Sequence, residues 1–195
     1  MRKLFLSSLM LFLAAGLINA QTKWNFDKSH SKVAFKVKHM VISEVTGYFN
    51  EYEGTVETNG DNFENAKINF TIDVNSIDTD NEKRDEHLKS DDFFNAAKFP
   101  KITFVGKSLK KVADNKYKLV GDLTIRDNTK EVTLDVTFNG MVNDPWGNTR
   151  AGFKVTGTIN RFDFGLKWNA LLELGGAVVS EDVDIVIDVE LIKAK

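Results

Sequence analysis

The sequence predicts an all-β protein: an antiparallel barrel or sandwich of about eight strands, with a short helix lying over one end. Three observations predict it. Apolar and polar residues alternate over long stretches, turn-forming residues separate those stretches, and one polar segment lacks the alternation. Period-two patterning puts one face of a strand on a core and the other in water, as in antiparallel sheets.

The strands follow in chain order. Val33, Phe35 and Val37 alternate with Lys32, Ala34, Lys36 and Lys38. A second strand is expected over 52–58. Ile68, Phe70, Ile72 and Val74 alternate with Lys67, Asn69, Thr71 and Asp73, and a further strand is expected over 102–108. Tyr117, Leu119, Gly121, Leu123 and Ile125 form one face of the next, and Val132, Leu134, Val136 and Phe138 one face of its successor. Strands over 150–159 and along Val183, Ile185, Ile187, Val189 and Leu191 complete the set. Asn59-Gly60-Asp61, Ala113-Asp114-Asn115, Asp127-Asn128, the run 143–148 and Gly175-Gly176 read as turns. Closure into a barrel removes exposed strand edges.

The segment 80–90 (DNEKRDEHLKS) is the exception. Asp80 or Asn81 is placed to cap a short helix whose first turn carries acids. Phe93, Phe94 and Phe99 then return apolar bulk beside it.

The first twenty residues read as a secretory signal. Arg2 and Lys3 precede an apolar run over 4–18, and Ala20 ends an Ile18-Asn19-Ala20 cleavage pattern. The run is shorter than the ~20 residues a membrane-spanning helix needs. Cleavage is expected between Ala20 and Gln21, leaving 21–195 as one domain that acts in the periplasm, with an extracellular location as the alternative. The chain has no cysteine, so an exported fold of this sequence is held by packing and backbone hydrogen bonds. Its formal charge is −2; without Arg2 and Lys3, 24 bases face 28 acids, a net of −4. No basic cluster stands clear of acids, which argues against a nucleic-acid partner.

Fifteen phenylalanines are present, and all but Phe5 and Phe12 lie beyond the signal. Phe carries no hydrogen-bonding group, so inward rings build a dry wall. An eight-stranded barrel either fills with such side chains or keeps room for one ligand, and composition leaves both open.

The polar candidates are few. His30, His39 and His87 are the only histidines, and their spacing matches no metal signature. His39 continues the parity of Val33, Phe35 and Val37 and so points toward the interior. Arg84, Asp85 and His87 sit together on the expected helix, either as a polar cap for a ligand's head group or as ion pairs pinning the helix to the barrel. Arg161 and Asp163 have the same two readings. Asp85 and His87 could exchange a proton, but no motif places a nucleophile and no glycine-rich phosphate loop occurs.

Several stretches, in order, cover essentially all of 21–195: Asp27-Lys-Ser-His30-Ser31 with Phe35 and His39; Val45-Thr-Gly47-Tyr-Phe49; Ser76-Ile-Asp78-Thr79 followed by Arg84-Asp85-Glu-His87-Leu88; Phe99-Pro100-Lys-Ile-Thr-Phe104; Gly121-Asp-Leu-Thr-Ile-Arg126; Asp144-Pro-Trp-Gly147-Asn-Thr-Arg150; and Asn160-Arg161-Phe-Asp163-Phe164-Gly165. Together they make the chain resemble the YceI-like family, lipocalin-like polyisoprenoid-binding proteins of the bacterial envelope. One departure is visible: Asp127-Asn128 stands where the family has a glycine-containing turn, and these residues tolerate the same geometry.

The resemblance implies an extended antiparallel eight-stranded lipocalin-like barrel with a short helix near one end, holding a polyprenyl (pyro)phosphate or an isoprenoid quinone in an apolar cavity. No cofactor is implied beyond that lipid. Alternation and resemblance together nominate Phe35, Val37, His39, Phe49, Phe70, Ile72, Arg84, Asp85, His87, Phe93, Phe94, Phe104, Leu119, Phe138, Arg161, Phe164 and Trp168 as ligand contacts. The expected partner is an isoprenoid lipid; a transient membrane contact and a homodimer are compatible with it. The alternatives are an enzyme acting on a prenyl lipid and a filled barrel that serves as an envelope interaction module. No catalytic or metal residue is assigned.

Overall fold

The computed structural model describes residues 21–170 and 177–195. The expected signal and the Gly175-Gly176 turn lie outside the described residues. Among the described residues, eleven strands form one sheet: β1 (Gln21–Phe26), β2 (Lys32–His39), β3 (Ser43–Phe49), β4 (Tyr52–Asn59), β5 (Asn62–Asp73), β6 (Ile77–Asp78), β7 (Lys101–Ala113), β8 (Lys116–Ile125), β9 (Asn128–Asn143), β10 (Thr149–Asn160) and β11 (Val179–Lys193). The helix α1 (Glu82–Lys89) follows β6.

Eight of these strands close the ring β1-β4-β5-β7-β8-β9-β10-β11, with β1 returning to β11. All pairings are antiparallel. β11 is long enough to pair twice on one side: Leu191–Lys193 meet β1, and the stretch from Val179 to Asp188 meets β2. β1 and β2 are thus two halves of one kinked wall, broken at Asp27–Ser31. β3 and β4 are the matching halves of the next, since β3 pairs with β2 and β4 with β1. The barrel was legible as eight alternating segments, but β1, β3 and β6 were not: they are short, and Gly47 interrupts the apolar face of β3.

The strand exteriors are polar. Lys154 faces Asp188, Lys118 faces Asp135, and Lys107 meets Asp122 and Glu131 across neighbouring strands. Such exposed pairs contribute little each, about 0–1 kcal/mol, but they make the outer surface a water-facing one, unlike the apolar belt of a membrane barrel.

The two ends differ. At the lower end Trp24 is 1% exposed and its indole Nε1 donates to Thr58 Oγ1 at 2.9 Å. Its ring packs on Phe63, which in turn meets Phe138 and Phe153. At the upper end α1 starts with Asn81, whose side-chain oxygen accepts from Arg84 N at 3.0 Å. The turn between β8 and β9 keeps its hairpin, with Ile125 paired to Asn128. The left-handed residue there is Arg126 (φ 56°), one position before the expected Asp127-Asn128 pair. Its guanidinium reaches Asp91 Oδ1 at 3.1 Å and the Phe93 carbonyl at 3.1 Å, which holds that backbone in place.

Candidate functional site

The inward faces of the strands enclose a cavity of about 230 Å³. Its walls are almost wholly hydrocarbon, with Phe26, Phe35, Phe49, Phe70, Phe94 and Phe104 among its lining, and Phe63 and Phe153 near the Trp24 end. The aromatic cluster of Trp24, Phe63, Phe138 and Phe153 forms a floor: Phe138 and Phe153 lie 5.1 Å apart and Phe63 and Phe153 4.8 Å apart. From there the lining runs the length of the barrel to Val37, Val179, Val183 and Leu166 beneath α1.

Inward glycines shape this interior. Phe35 pairs with Gly47 across β2–β3, and Phe70 with Gly54 across β4–β5. A Cβ at Gly54 would sit 2.6 Å from Phe70 Cδ2, and one at Gly47 would overlap the Phe35 ring. Gly121 is diagonal to Phe104 across β7–β8, and a Cβ there would likewise overlap the Phe104 ring. The rings therefore rest against the wall over glycine instead of crossing the lumen, a cross-strand arrangement that also restores the packing a glycine loses.

Of the expected contacts, Phe35, Val37, Phe49, Phe70, Ile72, Phe93, Phe94, Phe104, Leu119 and Arg161 line the cavity. His39, Arg84, Asp85, His87, Phe138, Phe164 and Trp168 are not on its wall. His39 has the inward parity and ends β2 opposite the lining residue Val179, but it is not itself part of the wall. Arg84 Nε donates to Thr79 Oγ1 at 2.7 Å and its Nη2 to the Thr79 carbonyl. Asp85 Oδ1 accepts from the Thr79 amide at 2.9 Å and from the Thr79 hydroxyl. Both side chains thus tie α1 to buried Thr79 (3% exposed). His87 pairs with Asp92 at 2.9 Å and stands edge-on to Phe93 and Trp168. Phe138 belongs to the floor cluster through Phe63 and Phe153 without lining the cavity, and Phe164 is buried in the core at 1% exposure.

The lining residues missed by the nominations include Phe26, Val56, Phe63, Leu109, Phe153 and Leu166. Parity along β4 and β10 would have found Val56 and Phe153; β1 and the bulge in β7 between Gly106 and Ser108 hide Phe26 and Leu109 from any simple alternation.

Arg161 is the one charged residue among the described lining residues. It is 4% exposed, at the upper end. Its Nε donates to Ser180 O at 2.8 Å, Nη1 to the Leu166 and Trp168 carbonyls, and Nη2 to Val179 O at 3.3 Å. An ion pair with Asp163, one of the two readings of these residues, is not formed, and no carboxylate lies within ion-pair distance among the described residues. Burial pulls its pKa down, yet a guanidinium stays charged throughout the physiological range. The carbonyls satisfy its donors but leave a full positive charge beside an apolar chamber.

The three histidines do not assemble. His30 instead joins Asp27 and Glu190 in a cluster with metal-ligand spacing at the lower end. Arg150 already sits in it: Nη1 donates to Asp27 Oδ2 at 2.6 Å and to Glu190 Oε1 at 2.5 Å, and Nε donates to Asp144 Oδ2 at 2.6 Å. The Ser29 hydroxyl, with His30 and Arg150, holds the Asp27 carboxyl well below the usual range. For Asp144, burial opposes ionisation, but Arg150 and Asn148 outweigh it and hold that carboxyl low as well. The cluster clamps the β1–β2 break to β10 and β11.

An antiparallel barrel floored at one end around an apolar chamber has the architecture of ligand-holding barrels. The chain belongs to the YceI-like family: residues 24–191 match its YceI-like domain. It is 45% identical over 163 residues to UPF0312 protein SAS2572 of Staphylococcus aureus (strain MSSA476), covering 83% of this chain and 92% of that one. Its fold is similar to that of the Campylobacter jejuni YCEI protein (TM-score 0.70, 35% identity, 87% of this chain and 96% of that one). The fold is also shared with a polyisoprenoid binding domain from Saccharophagus degradans (TM-score 0.68, 15% identity, 88% of this chain and 98% of that one).

Proposed function

We propose that this protein binds and carries a long isoprenoid lipid, outside the cytoplasm, with the hydrocarbon chain in the barrel and the head group at the upper end. The observation that carries the reading is the pairing of a floored, hydrocarbon-lined cavity with one buried guanidinium at its far end. Burial of hydrocarbon is worth about 0.8 kcal/mol per CH₂, and a branched chain of repeated five-carbon units fits a smooth Phe wall that offers no hydrogen bond. Ordering the chain and losing its freedom of motion take back much of that gain. The aromatic floor leaves the α1 end as the route of access. The structural likeness to a polyisoprenoid binding domain supports the same ligand class.

Arg161 favours a head group that is anionic or accepts hydrogen bonds, which admits a polyprenyl phosphate and, less strongly, a quinone. Binding without turnover agrees with Asp85 and His87 being engaged by Thr79 and Asp92. The testing experiment is gentle purification followed by solvent extraction and native mass spectrometry. A co-purifying prenyl lipid is expected. A folded protein that stays empty when offered polyprenyl phosphates and quinones would overturn the reading.

A further inference from the structure

We propose that the β2–β3 hairpin tip, Met40, Val41 and Ile42, is a wedge that seats in the interface of a lipid bilayer and sets the upper end of the cavity against it. The inference rests on reading the chain as a carrier of an apolar lipid.

The tip breaks the turn chemistry used elsewhere. The β4–β5 and β7–β8 connections carry Asn59-Gly60-Asp61 and Asp114-Asn115, whereas this one exposes three consecutive apolar residues, at 39%, 72% and 86%. Met40 and Val41 hold positive φ values of 51° and 66°. A β-branched residue there is an outlier that asparagine or glycine would relieve. The strain is retained at a site where the side chains touch solvent, so core packing does not account for it.

Position and size select the occupant. The Met40 amide donates to Val178 O at 2.9 Å, which fixes the tip beside Val179, a lining residue of the upper end. Three side chains on a convex turn are far fewer than the roughly 20–30 residues a stable protein interface uses on each side, so a second copy of this chain is poorly served. They suit a bilayer, where each aliphatic side chain withdrawn from water favours partitioning by roughly tenfold or more. Nearby charges are mixed, with Lys36 paired to Glu44, Lys38 two residues before Met40, and Glu181 and Asp182 just past Val179 on β11, so the contact fits a neutral surface without needing anionic lipid. Met141, Val142 and Trp146 are also exposed, but they lie at the lower end, where the floor separates them from the cavity.

The test is flotation of the purified protein with phosphatidylcholine vesicles at low and high salt. The wild type is expected to float at both. The double variant Val41→Asn, Ile42→Asn should lose at least tenfold in bound fraction while melting no lower than wild type, because Asn accepts the positive φ at 41 and the Ile42 side chain is 86% exposed. Trp146→Ser should float unchanged. A wild type that stays at the bottom of the gradient overturns the proposal. So does a double variant that floats normally, a loss caused by Trp146→Ser, or a concentration-dependent dimer abolished by the double variant. Loading a prenyl quinone from detergent micelles, measured alongside, separates the two readings. Failure of loading in every form sinks the carrier, whereas normal loading without flotation sinks only the wedge.

Discussion

Phe35 on β2 lies directly across from Gly47 on β3, and its ring fills the space that a Cβ at Gly47 would need. The lumen is open along this wall because a large residue and an absent side chain share one layer. The Phe70–Gly54 pair repeats the device on the neighbouring strands β5 and β4.

Gly47→Ala should therefore push the Phe35 ring inward. Overpacking of this kind costs about 1–3 kcal/mol, and the same change should reduce the amount of lipid held per protein. Thermal melts and lipid extraction read the two effects. Combining Gly47→Ala with Phe35→Leu should recover both; a combined variant no better than Gly47→Ala would show that the ring is not what fills the space.

Replacing Arg161 tests the head-group end. Arg161→Lys keeps the charge but cannot reach all four carbonyls, so the unpaired buried carbonyls should lower stability by about 1–3 kcal/mol. Arg161→Gln removes the charge as well. A competition assay between a polyprenyl phosphate and a quinone of equal chain length should shift toward the quinone for Arg161→Gln by roughly tenfold or more, as expected for loss of a charge-assisted contact, and should shift little for Arg161→Lys. An unchanged ratio in Arg161→Gln would remove Arg161 from ligand recognition.

Asp85→Ala separates the anchoring of α1 from ligand binding. It strips the Thr79 amide and hydroxyl of their acceptor. A loss of about 1–3 kcal/mol is expected in chemical denaturation. Lipid affinity, measured well below the melting temperature, should hold within a factor of about 2–3, since such a change is under 1 kcal/mol.

The Asp27–Arg150 clamp sets a pH dependence. The folded Asp27 carboxyl is depressed, so its contribution is complete above the unfolded carboxylate pKa of about 3.9 and is lost as the pH falls toward the folded value. The melting-temperature gap between wild type and Asp27→Asn should be constant from about pH 7 to pH 5 and narrow below about pH 4. A gap that widens in acid would contradict the clamp.

Much of the wall is legible in the sequence. Phe35, Val37, Phe70, Ile72, Phe104 and Leu119 follow from parity, because a strand with one dry face must turn every second residue inward. The helix start was legible to within one residue, with Asp80 or Asn81 as the cap and Asn81 taking that place, since a cap acts within one turn of chain.

The roles of the polar residues were not. Arg84, Asp85 and His87 sit together on one short helix, with Arg84 and His87 three apart, but whether they meet a ligand or Thr79 depends on how α1 docks on β6. Arg161 and Asp163 are near neighbours that do not pair, because the carbonyls of Leu166, Trp168, Val179 and Ser180 converge on the guanidinium from distant chain positions.

The sequence by itself determined the strand periodicity, the apolar interior, the helix start and the absence of disulfides, all of which are local or compositional. Only the tertiary structure decided that the interior is a chamber and not a filled core. That outcome depends on which residues neighbour each phenylalanine in the sheet: glycines directly across from Phe35 and Phe70, and diagonal to Phe104, let those rings lie back against the wall, while Trp24, Phe63, Phe138 and Phe153 meet one another and close the floor. Alternation states which way a side chain points; the volume left between opposing walls is a property of their pairing.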